Sequence, residues 1–260
     1  MTRGKVWLVG AGPGDPELLT LKAARVIGAA DVILVDDLVS DAVLAHARAD
    51  ARVVHVGKRG GCPSTPQEFI ERLMVAEARA GHAVVRLKGG DPVIFGRSGE
   101  ELAALHAANV ECEVVNGITA GIAAATALGV PLTHRALCHG AIFVTAHAQA
   151  GTGPDWAALV AARMPLVIYM GVARCEELQR ELLAAGLDPA TPVAIVSNAT
   201  RPEERTVIST VSTLAATLRA AQIRSPAVMI VGEVVRAAQL LGAPLAVEDH
   251  RRLEVGRVTP

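Results

Sequence analysis

Short, uniformly apolar runs recur along the first half of the chain. They fall at Val6–Val9, Val32–Val35, Val53–Val56, Val84–Leu87 and Val114–Val115. Runs this short and rich in β-branched residues read as strands covered on both faces. Helical stripes lie between them. Leu19, Ala23, Val26, Ile27 and Ala30 repeat at helical spacing, and Phe69, Leu73 and Ala76 form a second stripe that stops at Gly81. Thr65-Pro66-Gln67-Glu68 reads as a capping box that opens this second helix, with Pro at the first helical position. Ser98-Gly99-Glu100-Glu101 reads as another, opening a helix through Leu102 and Leu105. Strands alternating with helices predict a parallel, doubly wound sheet of five strands.

The pattern loosens after Val115. A helix of small residues from Thr119 to Leu128 ends at Gly129, ahead of Pro131. New apolar runs follow at Ala141–Val144, Leu166–Tyr169, Val193–Val196, Thr206–Ile208 and Ala227–Val231. Helical segments fall near Trp156–Arg163, Cys175–Ala185 and Val211–Ala221. This predicts a second α/β unit with a mixed sheet. The expected division is an N-terminal α/β domain of residues 1–116, a C-terminal α/β domain of residues 117–243 and a charged tail of residues 244–260.

Composition narrows the function classes. The 260 residues are 51% hydrophobic and 20% charged, enough apolar content to bury a core without disulfides or metals. Aromatic residues make up only 2%, too few for base-stacking platforms. The net charge of −1 supplies no global field for nucleic acid or an anionic membrane. No apolar stretch has the length of a membrane helix, and the glycine turn after Val9 leaves no signal-peptide core, so a cytoplasmic protein is expected. Cys62, Cys112, Cys138 and Cys175 are far apart and read as reduced thiols. His134 and His139 are poorly spaced for a metal, and no metal site is expected.

Five loops at strand ends carry candidate chemistry. Gly10-Ala11-Gly12-Pro13-Gly14-Asp15-Pro16 follows the first strand, where glycines let the backbone approach a ligand closely. A dinucleotide fingerprint would place its third glycine at position 15, which is Asp15, so that reading is weak, although Asp36 stands where a ribose-binding acid would. Arg86-Leu87-Lys88-Gly89-Gly90-Asp91-Pro92-Val93-Ile94-Phe95-Gly96-Arg97 follows the fourth strand. Gly117-Ile118-Thr119-Ala120 follows the fifth, with Thr119 as the expected helix cap. Asp36-Asp37 follows the second; alternation along a strand sends adjacent carboxylates to opposite sides, so one of the two is expected to face a cleft. The cationic Gly57-Lys58-Arg59-Gly60-Gly61 follows the third. Ligands of open α/β sheets bind outside the carboxyl ends of the strands, where all these loops lie.

Together these segments resemble the tetrapyrrole methylases. The family's hallmarks stand as VGAGPGDPELLTLKA (Val9–Ala23), VGKRGG (Val56–Gly61), VVRLKGGDPVIFGRSGEE (Val84–Glu101), GITAG (Gly117–Gly121), GVPLTHR (Gly129–Arg135), YMGV (Tyr169–Val172) and SPAVMIVGEVV (Ser225–Val235), in family order over nearly the whole chain. RLKGGDPVIFGR, GKR and LTHR point to the branch that methylates uroporphyrinogen III. The resemblance implies two α/β domains with the active-site cleft between them, a homodimer, and S-adenosylmethionine as methyl donor, leaving S-adenosylhomocysteine. It implies two successive methylations, at C2 and C7, giving precorrin-2 for sirohaem or cobalamin biosynthesis. Carried over by motif, the cofactor contacts fall on Pro13, Gly89, Gly90, Asp91, Ile94, Thr119, Ala120, Met170 and Ala199, the catalytic base on Asp36 and the acid on Lys58. The substrate's carboxylates suit Arg59, Arg97 and Arg135.

The chain departs from the family pattern at three places. Val35 and Asp37 flank Asp36 where the family has Tyr and then Arg or Ala, which makes Asp37 a substitute base. Asn116 replaces a Pro, and Thr145-Ala146-His147 replaces Thr-Gly-His. Three rivals remain at this point: another precorrin C-methyltransferase, a nicotinamide-dependent oxidoreductase that grips a ribose with Asp36, and a non-catalytic tetrapyrrole-binding protein.

Overall fold

A computed structural model of the chain describes residues 4–57, 65–147 and 153–240. The chain folds as two compact units. One runs through Ala127 and takes in Asn198–Glu204; the other takes Leu128–Ser197 and resumes at Arg205. The expected division after residue 116 falls just before the helix that ends at Ala127, and that helix belongs to the first unit.

The first unit holds an all-parallel sheet of β1 (Lys5–Gly10), β2 (Val32–Val35), β3 (Arg52–His55), β4 (Ala83–Lys88) and β5 (Glu111–Val115), in the order β3-β2-β4-β1-β5. The helices of this unit are α1 (Leu21–Ile27), α2 (Gln67–Arg79), α3 (Ser98–Ala107) and α4 (Ala120–Ala127). Successive side chains of each strand feed opposite apolar layers. Val9, Ile33 and Leu87 join Ile27 of α1 on one face, while Leu8, Leu34 and Val84 join Met74 of α2 and Leu105 of α3 on the other. Every residue of β2 is buried, as an interior parallel strand requires. β3 corrects the expectation of strands covered on both faces. It lies at the sheet edge with one neighbour, and three of its four residues are exposed.

Both expected capping boxes are absent. α2 is entered through Pro66 with no side-chain cap, and α3 through Arg97 in a left-handed conformation (φ 56°), also uncapped. Ser98 Oγ instead donates to the Pro92 carbonyl, and Glu101 turns inward. Working caps lie elsewhere. The Asp15 carboxylate accepts the Glu17 N–H (2.9 Å) over a short 3-10 turn, Pro16–Leu18, and Thr20 Oγ1 accepts the Ala23 N–H (3.1 Å) at the start of α1.

The second unit holds β6 (Ile142–Thr145), β7 (Leu166–Tyr169), β8 (Pro192–Ser197), β9 (Arg205–Thr210) and β10 (Ala227–Val231), in the order β6-β7-β10-β8-β9. Only the β6–β7 pair is parallel, so the sheet is mixed as expected. α5 (Trp156–Ala161), α6 (Cys175–Ala184) and α7 (Leu214–Ala220) pack on it through Trp156, Leu178, Leu182 and Leu214, against Ile168, Ile195 and Met229. A last helix, α8 (Val234–Leu240), had no counterpart in the apolar pattern. The expected tail of residues 244–260 lies outside the described residues. No helix among the described residues is long and apolar enough to cross a membrane. Cys112, Cys138 and Cys175 are free thiols, and Cys62 lies outside the described residues.

Candidate active site

Three glycines make the carboxyl edge of the first sheet possible. Gly10 ends β1, Gly90 follows β4 and Gly117 follows β5. A Cβ on Gly10 would stand 2.6 Å from the Gly117 nitrogen, and one on Gly117 would stand 2.3 Å from the Gly90 oxygen. No larger residue fits at this crossing. The β1 and β4 loops are joined directly, with the Gly90 N–H bonding the Gly12 carbonyl at 2.7 Å and the Gly12 N–H returning to the Gly90 carbonyl at 3.1 Å. Gly12 and Gly90 adopt left-handed backbone (φ 71° and 69°), which glycine takes without strain. Pro13 is buried beside this crossing. The atoms nearest a Cβ on Gly90 would be the Ala120 nitrogen and Thr119 Cα, both at 3.7 Å, and the Ile118 oxygen at 4.0 Å, so main chain and not side chain faces that space. The Gly12 and Gly90 N–H groups bond each other's carbonyls and the Gly117 N–H bonds Asp91, so the crossing is a packed main-chain floor beneath the space that Gly90 leaves open.

Asp91 holds the rim together. Its Oδ2 accepts the Gly117 N–H at 3.0 Å and Asn116 Nδ2 at 3.2 Å, while its Oδ1 accepts the Val93 N–H at 2.9 Å. The departure at Asn116 therefore adds a hydrogen bond that a Pro side chain does not offer. Thr119 is buried immediately before α4, and its carbonyl accepts from Ile122 (3.1 Å) and Ala123 (3.2 Å). Ile94 sits half-buried in the turn after Asp91. Phe95 and Arg97 in that turn have positive φ (52° and 56°). Lys88 Cε would lie 3.1 Å from a Cβ on Gly96, so the lysine stem supports this turn from beneath.

Asp36 begins the turn after β2. Its Oδ1 accepts the Asp37 N–H at 3.2 Å, and its Oδ2 accepts Arg86 Nη2 at 2.9 Å. Asp36, Asp37, Asp41, His55, Arg201 and Glu203 share the walls of a cavity of about 570 Å³. Both residues border this cavity, yet their carboxylates part. β2 ends at Val35, and the Val39 N–H turns back to the Asp36 carbonyl (3.2 Å). Only Asp36 reaches Arg86; Asp37 Oδ1 rests against Gly57, 2.2 Å from where a Cβ would stand.

Behind Asp36 lies a buried charged cluster. Arg86 and Lys88 are two apart on β4 and project from one face. Arg86 Nε donates to Glu101 Oε1 (3.0 Å) and Lys88 Nζ to Glu101 Oε2 (2.9 Å); Gln67 Nε2 also reaches Oε1 (3.3 Å). The Glu101 side chain has no exposed surface, and Arg86 and Lys88 are 3% and 4% exposed. Burial, with the Arg86 cation beside it, pushes the Lys88 ammonium below the ordinary lysine pKa, against the opposing pull of Glu101 and Asp36. Among the described residues no buried side-chain nitrogen or oxygen lacks a partner.

The segment 198–204 completes this edge. Ala199 is buried between Asn198 and Thr200, both at positive φ (50° and 66°). Thr200 Oγ1 accepts the Asp15 N–H at 3.1 Å, and Arg201 donates to the Leu38 carbonyl while packing over Gly14. The first unit thus brings together Pro13, Asp36, Gly89, Gly90, Asp91, Ile94, Thr119 and Ala199 on loops, and Ala120 at the start of α4, at one sheet edge. Met170 belongs to the second unit, where it follows β7 at positive φ (56°) and is 47% exposed. Arg135, also there, is exposed in the turn that His134 and Cys138 close. Arg97 pairs with Glu100 (Nε to Oε1, 3.1 Å). Lys58 and Arg59 lie outside the described residues. The Arg86–Glu101–Lys88 cluster and the Thr200–Arg201 contacts were not anticipated as a unit. The available signal was two charges at i and i+2 in an otherwise apolar central strand.

The model of a family described as tetrapyrrole (corrin/porphyrin) methylases matches residues 5–215. A uroporphyrinogen-III C-methyltransferase of Pseudomonas aeruginosa is 54% identical over 233 residues, covering 90% of this chain and 95% of that protein. A siroheme synthase of Acinetobacter baylyi is 48% identical over 90% of this chain and 51% of its own length. Among solved structures, a uroporphyrin-III C-methyl transferase of Thermus thermophilus complexed with S-adenyl homocysteine superposes with a TM-score of 0.78 at 44% identity, over 90% of this chain and 94% of that one. A cobalt precorrin-4 methyltransferase superposes with a TM-score of 0.80 at 31% identity, covering 89% and 95%.

Proposed function

The chain belongs to the tetrapyrrole methylase family, and on that premise we propose that it is the S-adenosylmethionine-dependent C-methyltransferase that converts uroporphyrinogen III to precorrin-2. The observation that carries the reading is the close main-chain crossing of Gly10, Gly90 and Gly117, with the Asp36 carboxylate on the same sheet edge. In this reading Pro13, Gly89, Gly90, Ile94, Thr119, Ala120, Met170 and Ala199 hold the donor. Asp91 acts chiefly by shaping the loops that do so, since its oxygens already accept three protein N–H groups.

S-adenosylmethionine supplies a methyl electrophile: a carbon–carbon bond forms to a pyrrole carbon, the S–CH3 bond breaks with its electron pair left on sulfur, and the macrocycle takes up the positive charge. The protein's tasks are alignment and exclusion of water. Asp36 then accepts the proton that leaves the methylated macrocycle, and the sequence repeats once. Lys58 is the proposed acid. Arg59, Arg97 and Arg135 are the proposed partners of substrate carboxylates; the exposed Arg97–Glu100 pair exchanges partners at little cost. Homodimeric assembly and a cytoplasmic location belong to the same proposal and rest on the family resemblance.

Incubation with S-adenosylmethionine and uroporphyrinogen III is expected to yield precorrin-2, read as coloured sirohydrochlorin after oxidation. Asp36→Asn is expected to slow turnover about 10²–10⁴-fold, with S-adenosylhomocysteine affinity unchanged by titration calorimetry. Turnover of precorrin-2 but not uroporphyrinogen III would assign another step of the family. Tight S-adenosylhomocysteine binding with no turnover of either would leave a binding protein.

A further inference from the structure

We propose that Arg86 is a positioning residue for the proton acceptor, locking the Asp36 carboxylate in one orientation from within the core. The inference deepens the reading of Asp36 as base and rests on it.

The geometry is asymmetric. The Asp36 side chain is 37% exposed at the cavity wall, whereas the guanidinium it bonds is 3% exposed. Three directions of that guanidinium are used. Nε meets Glu101 at 3.0 Å, Nη1 meets the Leu34 carbonyl at 3.5 Å, and Nη2 meets Asp36 at 2.9 Å. A planar fork held at three points has no freedom to turn, so its bond to Oδ2, together with the Asp37 N–H on Oδ1 (3.2 Å), fixes the carboxylate plane. The Leu34 carbonyl lies on β2, two residues before the acid, and Glu101 lies on α3. Arg86 therefore ties the strand that carries the acid to the helix behind it. Lys88 supplies the second cation for Glu101 and leaves the four charges balanced.

Stability alone is a poor reason for this arrangement. Buried ion pairs generally hold a fold no better than apolar residues of equal volume, and their best-attested use is to specify geometry. The proton that Asp36 accepts leaves a cationic macrocycle, so the direction in which the carboxylate points is what the reaction asks of it.

A double-mutant cycle tests the proposal. Arg86→Met is expected to lower kcat about 10–100-fold, with the KM for uroporphyrinogen III and the Kd for S-adenosylhomocysteine within about twofold of the parent. In an Asp36→Asn background the same change is expected to alter kcat less than about twofold, because the group it orients is gone. Arg86→Lys keeps a buried cation if the Met variant fails to fold. It is expected to bind S-adenosylhomocysteine normally and lose about 5–10-fold in kcat, again only when Asp36 is present. Equal losses in both backgrounds, or a fully active Arg86→Lys, would overturn the positioning role and leave Asp36 as base. Unchanged turnover in Asp36→Asn alone would overturn both.

Discussion

The first sheet carries two charged clusters of similar composition in opposite settings. At the amino-terminal end of β1 and β5, Lys5 pairs with Glu111 (2.8 Å) and Glu113 (2.9 Å), and Lys22 also reaches Glu113. On β4, toward its carboxyl end, Arg86 and Lys88 share Glu101 and reach Asp36. The two lysines shift in opposite directions. Hydrogen bonds that Lys5 donates to Glu111 and Glu113 raise its pKa, whereas burial lowers that of Lys88 despite a carboxylate at 2.9 Å. Glu113, between two cations, is pulled down to about 2. Pairing sets the direction of the shift where solvent remains, and desolvation sets it where solvent is gone. The exposed cluster is held cheaply. The buried one persists against its desolvation cost, which suits the geometric role proposed for it at the candidate site.

The largest expected effect comes from breaking the buried cluster. Glu101→Leu strands two buried cations and is expected to cost about 3–5 kcal/mol, read as a lowered urea midpoint at unchanged slope. Adding Arg86→Met and Lys88→Met to it is expected to recover most of that stability without recovering methyl transfer, separating the fold's needs from those of the site.

A smaller effect is expected from Gly117→Ala. Its methyl meets the Gly90 carbonyl and Gly10, and displacing either is expected to cost about 1–3 kcal/mol while weakening S-adenosylhomocysteine binding in calorimetry.

The smallest shift is expected from Glu113→Gln, in the exposed cluster. A carboxylate with a depressed folded pKa adds stability that is complete above its unfolded value of 4.5 and is lost as pH falls toward about 2. Thermal melts of the parent and the variant should therefore differ slightly at pH 6 and converge near pH 2. High salt should shrink the pH 6 difference as well, which it should not do for Glu101→Leu.

The strands were legible because burial on both faces writes itself as unbroken Val, Ile and Leu. Leu166–Tyr169 and Ala227–Val231 coincide with β7 and β10 to the residue. Val53–Val56 shows the limit, since an apolar run does not reveal whether its strand lies inside the sheet or at its edge. The capping motifs failed for a related reason. Ser98 and Glu101 have the residue types of a reciprocal cap, but the tertiary partners Pro92, Arg86 and Lys88 outbid the helix terminus. At the candidate site the glycine loops were legible from chain-local pattern. The Arg86–Asp36 contact spans fifty residues, and no local spacing reports it.

The loop between β8 and β9 has a consequence for synthesis. Thr200 and Arg201 fasten the turns at Asp15, Gly14 and Leu38, so the first unit is closed by residues that follow its own last helix by more than seventy positions. At a ribosomal rate of about 5–20 residues per second, the strap arrives roughly 4–15 s after α4 has been made. The nascent first unit must wait with its ligand-facing turns unbraced, and a fragment cut after Ala127 would remain in that unfinished condition.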